Sequence, residues 1–206
     1  MLKNLVAAAT ITVGLAASAN AATITNGSFE SYASFTTSFL ALGAGSTSLD
    51  GWTIDSGSVD LIGSLWGASD GFNSLDMSGS DAGKISTTIS DLIVGGRYLL
   101  SFDLAANPDG QPEEKGLRVD VADVVDTFFA NRSDSTRTQM NWNTVSLTFT
   151  ADSTSETLMF TSSTNSAFGP ALDNVRVVAA IPLPATAPLF VLGFGALAML
   201  RRRKKS

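Results

Sequence analysis

The side chains able to do chemistry in this chain fall in a narrow range. Its 206 residues include no Cys and no His, which removes disulfides, thiol nucleophiles, Ser-His-Asp triads and the usual zinc ligands together. Catalysis would have to rest on the 19 Asp and Glu side chains. Hydrolysis by paired carboxylates requires a defined separation between them, and nothing in the spacing of Asp60, Asp76, Asp103 or Glu113-Glu114 marks such a pair. The chain is therefore expected not to be an enzyme. A binding constellation is easier to find. Trp66 sits in the segment Gly63-Ser64-Leu65-Trp66-Gly67-Ala68, and Asn107, Asp109 and Gln111 sit in a second segment broken by Gly and Pro. Sugars are held by stacking their apolar ring face on an aromatic ring while amides and carboxylates hydrogen-bond the hydroxyls. Trp66 is expected to be such a platform, since a bare indole in a loop is costly without a purpose. Trp52, beside Gly51, reads as core packing, and Glu113-Glu114-Lys115 reads as a charged turn.

Strands must position these residues. Tyr98, Leu100, Phe102 and Leu104 alternate with polar or smaller neighbours, as do Leu117, Val119 and Val121, and Val145, Leu147 and Phe149. Period two over such lengths predicts half-buried strands. Shorter apolar runs predict others at 23–29, 52–54, 59–62, 74–77, 85–89, 157–160 and 172–178. Turn clusters divide them, among them Asp50-Gly51, Ser69-Asp70-Gly71, Gly95-Gly96 and Asn107-Pro108-Asp109-Gly110. The segment from Ser31 to Ser48 reads as a loop with one edge strand. Many short strands between Gly, Asp and Ser turns predict an all-β, antiparallel β-sandwich of jelly-roll type. Asp173 lies in step with Ala171, Val175 and Val177, so an unbroken strand would aim its carboxylate inward, where it needs compensation.

Both ends read as targeting elements. Residues 1–22 combine Lys3, an apolar run from Leu5 to Ala17 and the small-residue pattern Ala19-Asn20-Ala21, which predicts a signal peptide for signal peptidase, cut after Ala21 or Ala22. Residues 181–206 combine Ile181-Pro182-Leu183-Pro184-Ala185, an apolar segment from Thr186 to Leu200, and the basic cluster Arg201-Arg202-Arg203-Lys204-Lys205. A helix of about 15 residues rises about 22 Å, short of a bilayer core of roughly 30 Å. That length suits transient inner-membrane insertion, with the cluster held in the cytoplasm. Between the ends lies one domain, 23–180. The chain has 13 Lys and Arg; without Lys3 and the five basic tail residues, 7 face 19 acids, a charge near −12. That excess disfavours nucleic acid and anionic membrane surfaces as partners.

The tail resembles the VPLPA variant of PEP-CTERM sorting signals, with Ile181 in place of Val. The resemblance implies processing by an exosortase-type protease in a Gram-negative bacterium that makes extracellular polysaccharide, and a protein at the cell surface or beyond. The body resembles the choice-of-anchor C family: the blocks Asn26-Gly27-Ser28-Phe29-Glu30, Gly51-Trp52, Gly57-Ser58-Val59-Asp60-Leu61, Ser74-Leu75-Asp76-Met77-Ser78-Gly79, Phe102-Asp103-Leu104-Ala105, Phe149-Thr150-Ala151 and Gly169-Pro170-Ala171-Leu172-Asp173-Asn174-Val175 stand in that family's order. That family is similar to a plant cell-wall domain and to galactose-binding-like, carbohydrate-binding jelly rolls. In such jelly rolls a carboxylate from the first strand and one from the last hold a structural Ca²⁺; Glu30 and Asp173 occupy those places. Calcium also takes backbone carbonyl oxygens, for which Gly27 and Ser28 are candidates. The implied function is polysaccharide binding by an exported, non-catalytic surface or matrix protein. The alternatives are a structural biofilm or envelope component with no discrete ligand, and a carboxylate-dependent glycoside hydrolase.

Overall fold

A computed structural model describes residues 21–180; the expected signal peptide up to Asn20 and the sorting tail, 181–206, lie outside them. Twelve strands follow in order: β1 Thr23–Ile24, β2 Phe39–Gly43, β3 Thr53–Ser56, β4 Ser58–Ile62, β5 Ser74–Asp76, β6 Lys84–Ser90, β7 Arg97–Ala106, β8 Glu114–Val121, β9 Val124–Asn131, β10 Asn143–Thr150, β11 Glu156–Ser162 and β12 Pro170–Ala179. One 3-10 turn, Arg132–Asp134, interrupts them. No helix among the described residues is long and apolar enough to cross a membrane.

All pairings are antiparallel, in two sheets. One sheet runs β1-β6-β11-β8-β9, with β3 also on β6; the other runs β10-β7-β12-β5-β4-β2. From β5 to β12 the chain fills β6-β11-β8-β9 in one sheet and β10-β7-β12-β5 in the other. That order is the two interlocked Greek keys of a jelly roll. The expected fold class is the observed one.

The alternating residues of β7 fill the space between the sheets: Tyr98, Leu100, Phe102 and Leu104 all belong to the main core. Phe102 meets Phe160 and Phe128 edge-on, with centroids 5.2 and 5.7 Å apart, the arrangement that aromatic quadrupoles favour. Trp52 is buried as expected and donates from Nε1 to the Asn26 carbonyl.

A second, smaller apolar cluster lies on the outer face of the β12 sheet. Ile62, Ala105 and Ala171 from the strands meet Trp66 and Met140 from loops, with Leu65 and Trp142 against them. Loops thus fold back over part of that face, and their edge walls a cavity.

Strand β12 departs from its expected phase. Leu172 packs in the main core and Ala171 in the outer cluster. A bulge then breaks the register between Asp173 and Arg176, with Asn174 at φ +54°. The extra residue returns Val175 and Val177 to the core. Asp173 therefore does not share the valines' face as expected; it shares Ala171's, opposite Asp103 of β7.

Candidate functional site

The cavity of about 300 Å³ opens on the outer face of the β12 sheet, where β4, β5 and the loops after β7 and before β12 converge. Asp60 of β4 and Asp76 of β5 pair in register, and Asp76 pairs with Ala171 of β12. Two carboxylates that looked unrelated at a spacing of sixteen residues thus stand side by side on the cavity floor. Strand pairing, which no local pattern encodes, brings them together.

The floor is locked from below. Asp76 is buried; its Oδ1 accepts the Ser78 and Gly169 N–H groups at 2.9 and 3.0 Å, and its Oδ2 accepts Asn107 Nδ2 at 2.5 Å. Burial pushes the Asp76 carboxyl up from 3.8 to about 7, against the pull of those hydrogen bonds. Burial also raises Asp60, which accepts no hydrogen bond from the described residues.

The wall comes from the loop after β7. Asn107 is buried and its Oδ1 accepts the Asp109 N–H at 2.9 Å, a local turn that aims the loop. Asp109 then takes Arg137 in a two-point contact, Nε to Oδ1 and a terminal nitrogen to Oδ2, both at 2.9 Å. Two exposed rings complete the walls: Phe39 from β2, 41 % exposed, and Phe168, 38 % exposed.

Lys115 holds Phe168 in place. It is fully buried, and Nζ donates to the Gly110 and Phe168 carbonyls at 2.6 Å each, with the ring centroid 5.9 Å away. The expected charged turn at 113–115 is instead the start of β8 and a staple between two loops. A Cβ at Gly110 would come within 2.1 Å of the Phe168 ring, so only glycine lets the ring lie against that loop.

Of the residues expected to bind a ligand, Asn107 and Asp109 line the cavity. Gln111 does not; its side chain is exposed and its carbonyl accepts Ser166 Oγ at 2.7 Å, beside a cis peptide to Pro112. Trp66 is not the expected exposed platform. It is only 4 % exposed and donates from Nε1 to Ser74 Oγ at 3.0 Å. Its loop lies flat on the sheet, where the indole finds a second core. Phe39 and Phe168 went unrecognised because each sits in a Ser-, Thr- and Gly-rich stretch with no periodicity.

The residues matched to a calcium site do gather, around the loop 69–73. Asp173 Oδ2 accepts the N–H groups of Ser69 and Asp70 at 2.7 and 3.0 Å, and Oδ1 accepts that of Asn174. The Ser69 hydroxyl lies between Asp173 Oδ2 and Asp103 Oδ2, at 3.0 and 2.8 Å. Burial pushes Asp173 up from 3.8 to about 6. Glu30 accepts the Phe72 and Asn73 N–H groups through Oε1 and Asn73 Nδ2 through Oε2. The Gly27 carbonyl accepts the Val175 N–H, and the Ser28 hydroxyl donates to Asp70. Calcium needs oxygen lone pairs; here N–H and O–H donors already engage both carboxylates and the Gly27 carbonyl. As arranged, Glu30 and Asp173 are held by protein donors, and no group of three or more His, Cys, Asp or Glu side chains that could hold a metal ion occurs among the described residues.

Solved structures similar in overall shape include TmCBM61 in complex with β-1,4-galactotriose, at TM-score 0.48 and 13 % identity, covering 75 % of this chain and 96 % of that one. Another is CBM35 from Paenibacillus barcinonensis, at TM-score 0.45 and 17 % identity, covering 68 % and 99 %. In sequence, the chain is 37 % identical over 173 residues to Halomucin of Haloquadratum walsbyi, a match that takes in 80 % of this chain and 2 % of Halomucin. The chain thus spans a small fraction of that relative's length. A family model described as "Protein of unknown function (DUF642)" matches residues 22–178.

Proposed function

The chain belongs to the DUF642 family of proteins of unknown function, and on that premise we propose that it is a non-catalytic glycan-binding protein whose ligand enters the cavity between Phe39 and Phe168. The observation that carries this reading is the cavity itself. It combines two exposed aromatic rings with polar groups already fixed in position, Asn107, Asp76 and the Asp109–Arg137 pair, beside the open carboxylate of Asp60. Carbohydrate recognition asks for that combination, a stacking surface for the C–H face of the ring and oriented acceptors for its hydroxyls. A volume of about 300 Å³ lies at the small end for ligand sites, which suits a chain end or one or two sugar units over a long polymer track.

The same proposal places the protein outside the cell. Support comes from the sequence at its ends: the signal-like residues 1–22 and the motif, apolar segment and basic cluster of 181–206. Under this reading, signal peptidase and an exosortase-type protease are processing partners, the membrane intermediate is transient, and the destination is the surface or matrix of a Gram-negative bacterium, in keeping with the PEP-CTERM and choice-of-anchor C resemblances.

The adjacent carboxylates of Asp60 and Asp76 favour a second reading, carboxylate-dependent hydrolysis. It is the weaker one. A general acid must present its proton to the glycosidic oxygen, and both Asp76 oxygens already accept hydrogen bonds from below. Titrating oligosaccharides into the full chain, with reducing-end release followed in parallel, separates the two. Saturable binding without turnover supports the first; turnover abolished by Asp60→Asn would replace it with the second.

A further inference from the structure

The charges around the cavity are unequally committed. Among the described residues that line it, the titratable side chains are Asp60, Asp76, Asp109 and Arg137. Arg137 gives two nitrogens to Asp109 in a bidentate pair, so its charge is matched before any ligand arrives. Asp76 is saturated by Ser78, Gly169 and Asn107. Lys115, the nearest buried cation, turns Nζ to the carbonyls of Gly110 and Phe168. Asp60 alone of the four has no hydrogen-bonding partner among the described residues, and it is only partly buried. Its carboxylate lines the cavity directly. Partial burial on the cavity floor lets a ligand atom reach the carboxylate.

A walled cavity with one unpartnered carboxylate and no unmatched cation discriminates by charge. A uronate, sulfate or phosphate on a glycan would meet Asp60 with nothing to offset the repulsion. A neutral sugar could hydrogen-bond Asp60 but would leave its charge desolvated and unmatched. A hydroxyl and an ammonium both donate to the carboxylate, but only the ammonium also brings the opposite charge that compensates its desolvation.

Resting on the glycan-binding reading above, we propose that this cavity selects glycans bearing a free protonated amine, the chemistry of a de-N-acetylated hexosamine, with Asp60 as acceptor of the ammonium and Phe39 and Phe168 flanking the ring. N-acetylation removes the charge and adds bulk where Asp60 approaches, so the acetylated sugar is the disfavoured form. The selectivity rests on one residue that takes no part in strand pairing through its side chain.

Calorimetric titration of the full chain with four short ligands tests this: a β-1,4-glucosamine pentamer, its N-acetylated counterpart, a neutral cellopentaose and an oligogalacturonate. The expected order places the amine at least tenfold tighter than the neutral sugars and the uronate weakest. Asp60→Asn should reduce the amine to the level of the neutral sugars, and Asp60→Ser replaces it if the first variant does not fold. An acidic chain could attract any polycation, so an amine preference that survives both Asp60 variants would overturn the proposal. Equal or tighter binding of neutral or acidic ligands, lost in Phe168→Ala, would overturn the amine selectivity and leave the glycan reading standing. Failure of every ligand to bind would sink both.

Discussion

Asp76 and Asp173 take up protons more readily in the folded chain than in the unfolded one, since burial raises them from 3.8 to about 7 and about 6. Protonation of these two therefore favours the fold: their contribution is complete below about 3.8 and is lost as pH climbs through about 6 and about 7. Asp70 and Glu113 are shifted the other way by hydrogen bonds, from Ser28 and from the Ser133 N–H. Their contribution is lost on acidification, but both are solvent-screened and weak. We predict a melting midpoint several degrees higher at pH 5 than at pH 8, and a flatter profile in Asp76→Asn, whose own amide would face that of Asn107 and lower the midpoint throughout. A higher midpoint at pH 8 would show that these carboxyls are ionised without cost. At this same scale, Gly110→Ala should displace the Phe168 ring and weaken ligand binding while the strands stay intact by circular dichroism. Little of the residue-level chemistry was legible in sequence. Trp66 is buried because its loop finds an outer-face core, and Lys115 is buried because two loop carbonyls receive it; both depend on partners far along the chain. Asn107 and Asp109 were legible because a Gly- and Pro-broken loop after a strong strand signals its own exposure.

Strands with one face in the core announced themselves, and the others did not. Strand β7 alternates cleanly over its length, whereas the edge strand β9 was missed: Phe128 is half-buried against Phe102, while Phe129 and Val125 stay exposed, so its pattern has no period. Its turn hides too, since the β8–β9 hairpin is closed by Ala122 at φ +46°, where Asn or Gly would be the usual signal. The bulge in β12 was equally silent, and it decides where Asp173 points. The Asn174 side chain, donating to Asp103 at 2.8 Å, supports that left-handed backbone. Asn174→Val should cost about 2 kcal/mol in chemical denaturation, since a β-branched residue resists positive φ. The loop 69–73, secured by N–H groups to Glu30 and Asp173, should need no cation. Melting midpoints in excess chelator and in millimolar calcium are therefore expected to coincide, and a rise of several degrees with calcium would show that the loop yields its place to the ion.

Across the described domain, its two ends and the cavity lie at opposite poles. Thr23 pairs with Ser90 and the Ala180 N–H donates to the Arg97 carbonyl, so the sandwich is entered and left beside the start of β7. The cavity sits by Asn107 and Phe168, past the other end of β7 and before the start of β12. Ten residues of strand separate these poles, about 33 Å. A domain attached after processing through the motif at 181–185 would hold its cavity away from the attachment point. Intact-mass measurement on protein from its native envelope checks the proposed processing: loss of the mass beyond the motif at 181–185 is expected, and a mature species retaining 186–206 would contradict it. The central claim, that this cavity binds glycan between Phe39 and Phe168, is tested most directly on a glycan array that includes amino sugars, with the full chain and its Phe39→Ala/Phe168→Ala double variant side by side. Saturable binding by the parent, weakened at least tenfold in a double variant of unchanged melting midpoint, is the predicted result. Absence of any bound glycan, or equal binding by the two proteins, would contradict it.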